Sequence, residues 1–331
     1  MTQQIKKLSV LVITVVLLLG STSCEWGSKT PQKQKVTIGM ITFPGYAPLY
    51  LAKEKGFFDD LDVELVRIEA IGDLRAALSS GKIDMYASTY DIFQANQGND
   101  VPGIGFMLID ESHGADGIVA AAGINSISDL KGKKLAGEPG VPPYFLLQYL
   151  LNKNNLSMSD ISIKDIATQD AGAAFISGGA DAAALYEPFL SNAVNGRKGS
   201  KVIISSAQEP NILADLLFAS ERLTKEKPEV LRKVAEGWFR ALDYTKNNPD
   251  DAYALMGKAF NVSKQEMIDF KSAITWYTKE DNISMFNRGN PTNVYQIFQL
   301  VGDVLEKNGS AKLRFKPEDK ITNAVVDQLA K

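Results

Sequence analysis

The 331-residue chain contains one cysteine, Cys24, and one histidine, His113. That scarcity argues against disulfide frameworks, most zinc sites and Cys–His nucleophilic catalysis, each of which needs several such side chains. No metal, cofactor or catalytic residue is expected. The chain also lacks a charge excess, with 36 Lys and Arg against 39 Asp and Glu for a net charge of −3. Nucleic-acid binding, which calls for a basic face, is therefore not expected. The N-terminal apolar run, Leu8–Leu19, would reach roughly 20 Å as a helix, short of a hydrocarbon core of about 30 Å. What remains is ordinary globular composition, 45% hydrophobic and 23% charged, with length enough for two lobes.

Lys6 and Lys7 precede the apolar run, and Gly20-Ser21-Thr22-Ser23-Cys24 follows it. Basic, then apolar, then small is the order of a secretory signal, here residues 1–23. The small residues ending on the single cysteine resemble a bacterial lipoprotein box, with Ser21 where such boxes usually carry Leu. The resemblance implies lipidation of Cys24, and a protein anchored at the outer face of the cytoplasmic membrane or in the periplasm. Residues 24–35 are polar and aperiodic, with Gly27, Ser28, Pro31 and several lysines, and read as a flexible tether.

Beyond residue 35, short apolar runs alternate with helical patterns. Strands are expected at Val36–Ile41, Val63–Ile68, Asp84–Thr89 and Ile104–Ile109. Helices are expected at Ala47–Lys55, closed by Gly56, around Ile71, Leu74 and Leu78, and in a short stretch through Gln97 that Asp91 is placed to cap. A second series follows, with strands at Ile118–Ala122, Lys133–Ala136, Ile161–Ile166, Ala182–Tyr186, Val202–Ser205 and Leu216–Ala219. Helices are expected between them at Tyr144–Lys153 and Ala171–Ser177. From Pro228 the pattern is helical, and Trp238 falls on an apolar face with Leu231, Val234, Ala235 and Leu242, the position of a core residue. Further helices are expected at Asp250–Phe260, Lys264–Tyr277, Pro291–Lys307 and Pro317–Ala330. The alternation predicts α/β architecture, a mostly parallel sheet with helices on its faces. Residues 36–117 and 216–331 would make lobe 1, with lobe 2, residues 118–215, inserted into it.

The join at Leu108–Gly117 crowds Asp110, Glu111, Ser112, His113 and Asp116 around two glycines. It reads as a polar crossover loop, and His113 as a surface side chain.

Gly45-Tyr46-Ala47-Pro48-Leu49-Tyr50-Leu51-Ala52-Lys53-Glu54-Lys55-Gly56-Phe57-Phe58 resembles the opening helix of solute-binding proteins of the nitrate/sulfonate/taurine/thiamine-precursor importers. Gly81-Lys82-Ile83-Asp84, Asp129-Leu130-Lys131-Gly132-Lys133-Lys134 and Tyr186-Glu187-Pro188 are similar to that family too. The resemblance implies a two-lobed periplasmic-binding-protein fold with mixed sheets and an interlobe ligand cleft. It also implies a monomer that captures one small molecule and hands it to an ABC permease and ATPase.

In open α/β sheets, ligands sit beyond the carboxyl ends of the strands. The candidate ligand contacts at those ends are Phe43, Tyr46, Tyr90, Asp91, Asp110, Asp116, Glu138, Tyr144 and Glu187. No Arg or Lys lies in these stretches, and Gly140-Val141-Pro142-Pro143 offers no hydroxyl and two residues without N–H. Carboxylates beside aromatic faces suit an amine-bearing, cationic or amino-heterocyclic solute. A sulfonate, taurine or other oxyanion is the alternative ligand. Readings of another class are an enzyme like the pyrimidine synthase of the same fold, which would need more His and Cys, and a surface lipoprotein without a transport role.

Overall fold

A computed structural model describes residues 33–96 and 98–330. The expected signal, Cys24 and most of the tether lie outside these residues. The first strand begins at Gln34, so the last two residues assigned to the tether belong to the sheet.

The first sheet contains β1 (Gln34–Met40), β2 (Leu61–Arg67), β3 (Met85–Thr89), β4 (Ile104–Ser112), β10 (Ala214–Ala219) and β11 (Ile274–Trp276), in the order β11-β4-β10-β3-β1-β2. The second contains β5 (Asp116–Ala120), β6 (Lys134–Gly137), β7 (Ser162–Asp165), β8 (Ala182–Tyr186) and β9 (Lys201–Ser205), in the order β7-β6-β8-β5-β9. Both are mixed. β1 pairs in parallel with β2 and β3, whereas β10 runs antiparallel between β3 and β4. In the second sheet β6 is parallel to β7 and β8, and β5 is antiparallel to β8 and β9.

The inner strands read as continuous apolar runs because both of their faces are covered. On β10, Leu216 and Phe218 face one apolar cluster while Leu217 and Ala219 face another. On β5, Ile118 and Ala120 face one way and Val119 the other. Phe93 stacks on Phe218 with ring centroids 4.0 Å apart. On the opposite face Trp238, in the helix Pro228–Asn247, is fully buried. The same helix crosses Phe57 and Phe58 at Gly237, where an added methyl would overlap the Phe58 ring and lie 3.2 Å from the Phe57 carbonyl oxygen. Gly237→Ala is expected to cost about 1–3 kcal/mol through overpacking, read as a lower urea midpoint.

Four segments differ from the sequence expectation. Asp110, Glu111 and Ser112 end β4 and Asp116 opens β5, so His113-Gly114-Ala115 alone forms the connection. Pairing with β10 and β11 carries Asp110, Glu111 and Ser112 into the first sheet, and pairing with β8 carries Asp116 into the second. The helix expected over Lys264–Tyr277 stops at Ser272, and Ile274–Trp276, β-branched and aromatic, adds an edge strand to β4. A helix over Lys279–Phe286 follows, opened by a Thr278–Asp281 capping box. The helix expected over Pro317–Ala330 is two short ones, Pro317–Lys320 and Val326–Leu329. The helix after β3 spans Tyr90–Gln94, with Thr89 rather than Asp91 at its N-cap.

Sheet membership changes at residues 113–115 and again at 206–213. The two crossings are tied together. Ser206 Oγ lies 2.8 Å from Ser112 Oγ and accepts the Gly114 N–H at 2.8 Å, and the Ser112 N–H donates to the Leu213 carbonyl.

Candidate functional site

Strand register gathers the polar residues. In the first sheet Asp215 stands opposite both Thr89 and Asp110, and Trp276 opposite Asp110. In the second sheet Asp116 is opposite Tyr186, and Gly117 opposite Ser205. These are the ends where the chain crosses between sheets, so the carboxyl ends of both meet there.

The turn Pro44–Tyr46 closes over the first-sheet side. Trp276 Nε1 donates to the Gly45 carbonyl at 2.9 Å, and the Tyr46 hydroxyl donates to Asp215 Oδ1 at 2.6 Å. Gly45 lies so close to Asp110 that a β-carbon there would be 2.6 Å from Asp110 Oδ1. Only glycine leaves that space open. Phe43 is half-buried and packs edge-on against Tyr46 at 5.2 Å.

Behind the turn, the helix Tyr90–Gln94 is held by the Arg75 guanidinium, which donates to the carbonyls of Ile92, Phe93 and Ala95. Gln94 Nε2 donates to the Phe298 carbonyl at 2.8 Å. These bonds fix Tyr90 and Asp91 at the helix start.

The electrostatics are unusual for a protein interior. Asp91, Asp110, Asp116 and Asp215 are 3%, 0%, 7% and 3% exposed. Burial raises all four carboxyls: Asp91 to about 6, Asp116 to about 7, and Asp215 upward too, with the Tyr46 hydroxyl hydrogen bond opposing the rise. Asp110 is raised well above the carboxylate range, first by burial and then by the charges of Asp215 and Glu111. The groups that shift them are other acids, tyrosine, hydroxyls and backbone N–H groups. No N–H or hydroxyl donor reaches either Asp110 oxygen, which meets only the Asp215 carboxyl, and Asp91 Oδ1, the Tyr90 hydroxyl and the Thr89 hydroxyl have no partner within hydrogen-bond distance. Buried polar atoms are nearly always satisfied, so an orphaned set in one place marks ligand chemistry. Among the described residues no three His, Cys, Asp or Glu side chains converge as metal ligands.

Five of the expected residues, Tyr46, Tyr90, Asp91, Asp110 and Asp116, therefore lie buried at this meeting point. Three are engaged elsewhere. Glu138 Oε2 accepts the Thr168 N–H and hydroxyl, both at 2.7 Å, at the start of the helix Thr168–Ile176. Glu187 accepts from the Ser191 N–H and hydroxyl at the start of the helix Phe189–Gly196. The Tyr144 hydroxyl donates to Asp165 at 2.9 Å. His113 is exposed.

Asp215 was absent from the expected set. It is the one charged residue in the run Ile212–Ala219, and a lone acid inside an apolar strand is the signal that points to it. Asn211 was missed as well: its N–H donates to Glu111 Oε2, and its side-chain oxygen accepts the Tyr277 hydroxyl at 2.6 Å.

Two mixed sheets flanked by helices, with the chain crossing twice between them, make the two-domain periplasmic-binding-protein fold. The chain superposes on the periplasmic aliphatic sulphonate binding protein SsuA from Escherichia coli with a TM-score of 0.71 at 21% identity, covering 89% of this chain and 99% of that one. Residues 44–252 match the family described as "NMT1/THI5 like", and the chain belongs to that family. Its relatives include a "Putative aliphatic sulfonates-binding protein" of Bacillus subtilis (strain 168), 26% identical over 270 residues, 78% of this chain and 80% of the relative. Another from the same organism, "Putative binding protein YtlA", is 27% identical over 289 residues, 83% and 84% of the two chains.

Proposed function

We infer that the protein is the extracytoplasmic solute-binding component of an ABC importer, a carrier that captures a small organic molecule without transforming it. Residues 34–112 and 214–330 act as one lobe and 116–205 as the other, a few residues from the bounds expected on sequence alone, closing on the solute as such folds do. An exported position, an anchor at Cys24, and delivery to a membrane permease with its ATPase belong to this reading. Family membership supports it, as do relatives of similar length named as binding proteins. The observation that carries it is the set of orphaned, buried polar atoms where the ends of both sheets meet.

For the solute, the relatives favour a sulfonate or other oxyanion over the amine-bearing, cationic solute expected from the sequence. One feature of this chain favours an amine on the solute all the same: four buried aspartates meet there with no cation among the groups that shift them.

The test is to purify the exported chain under native conditions, denature it, and identify the released small molecule by mass spectrometry. A single saturable ligand that raises Tm on re-addition is expected, as mass action requires. No saturable ligand among sulfonates, amines and zwitterions would overturn the transport reading.

A further inference from the structure

We propose that the Asp110–Asp215 carboxyl pair shares one proton in the ligand-free protein, and that a protonated amine on the solute takes that proton's place, so that capture releases a proton to solvent. The inference rests on the solute-binding reading above and specifies the chemistry of its site.

The geometry comes first. The two aspartates face each other across adjacent antiparallel strands, at 0% and 3% exposure. Asp215 is anchored by the Tyr46 hydroxyl, which donates to Oδ1 at 2.6 Å and so steadies negative charge on that residue. Asp110 has no donor on either oxygen. The proton therefore belongs on Asp110.

The groups facing the pair do not supply a counter-charge. They are Tyr46 from the turn, Asp91 from the helix after β3, Glu111 on β4, Asp116 heading β5 and Tyr277 following β11. Two ionised carboxylates in such a place would carry a prohibitive desolvation cost. Two arrangements avoid it, each leaving one net negative charge at the site as a whole. In the first, one proton is shared. In the second, both carboxylates are ionised against an ammonium. Exchange between them conserves charge and matter: R–NH3+ enters, the proton leaves, and no covalent bond on the amine changes. Glycine at position 45 keeps backbone close above Asp110 while leaving out the side chain that would cover it.

Matched probes give the test. Calorimetric titration of the mature chain with 2-aminoethanesulfonate, ethanesulfonate and methylammonium, repeated in buffers of different ionisation heat, reports protons exchanged. The amine probes should bind with release of about one proton, and their affinity should rise by up to tenfold per pH unit from about pH 5 to 7. Asp110→Asn and Asp215→Asn should each abolish the release and weaken the amine probes at least tenfold. Because Asn mimics the protonated acid, Asp110→Asn should remain folded. Glu138→Gln, at a carboxylate taken up by Thr168 outside the site, should retain the release and the amine affinity, and loss of either there would overturn the assignment to this pair. Ethanesulfonate bound as tightly as its amino analogue, and equally in all variants, would remove the ammonium seat while leaving solute binding intact. Failure of methylammonium to raise Tm beyond sodium chloride of equal ionic strength would remove it as well. Absence of any co-purifying solute would instead count against the solute-binding reading.

Discussion

Taken from pH 5 to pH 8 without ligand, the protein should lose stability by several kcal/mol, seen as a steadily falling urea midpoint. Asp91 and Asp116 are raised to about 6 and 7, and the coupled carboxyls of Asp110 and Asp215 are raised as a pair above the usual carboxylate range, chiefly by burial. In the unfolded chain these carboxyls titrate near pH 4. Between pH 4 and 8 the folded state thus holds more protons, and stability falls as pH rises, by about 1.4 kcal/mol per unit for each proton of difference. Exposed carboxylates paired with lysine, such as Asp60 with Lys233, Glu64 with Lys35 and Asp251 with Lys55, are shifted down instead. Their contribution is present above pH 4 and lost below it. The two groups together place maximal stability near pH 5. Asp110→Asn should flatten the alkaline arm, and a midpoint that is level or rising between pH 5 and 8 would contradict the burial argument.

Trp238→Ala should be the most damaging single substitution in the helical layer, costing about 3–5 kcal/mol. The indole is fully buried, and its Nε1 donates to the Tyr277 carbonyl at 3.2 Å. Truncation leaves a cavity and orphans that carbonyl. Tyr277 also reaches Glu111 and Asn211 through its hydroxyl, so ligand affinity should fall together with stability. Chemical denaturation and ligand titration on the same variant measure both, and a loss below about 1 kcal/mol would mean that the layer repacks.

The strands of both sheets could be read from sequence because nearly all are short apolar runs ended by polar or turn residues, whatever their partners. Ala182–Tyr186 is placed residue for residue, and most others lie within two residues of expectation. β11 escaped notice because three residues following a helical pattern carry too little periodicity, and only pairing with β4 makes them a strand. The sequence did hold a warning: Thr278 and Asp281 have capping-box spacing and begin a new helix. The site was half legible. Tyr46, Tyr90, Asp91, Asp110 and Asp116 follow from the rule that ligands meet strand ends, but local sequence does not reveal that Glu138 and Glu187 are taken up by the N–H and hydroxyl groups of nearby helices. Asp215 was hidden by its position at the presumed join between lobes. It reaches the site only because β10 runs antiparallel, bringing its opening residues to the end where its neighbours finish.

One apolar cluster runs unbroken from Leu74, Phe93 and Phe298 against the first sheet to Phe145, Leu146 and Leu150 against the second. Its bridge is the helix Pro142–Lys153, where Gln148 also hydrogen-bonds Ser310. The halves of the molecule consequently melt as partners. A calorimetric scan should show one endotherm with matching calorimetric and van't Hoff enthalpies, although the chain is laid out as two sheets. Any opening that parts this seam wets hydrocarbon, so excluded osmolytes should favour the shut form and mild urea the opened one.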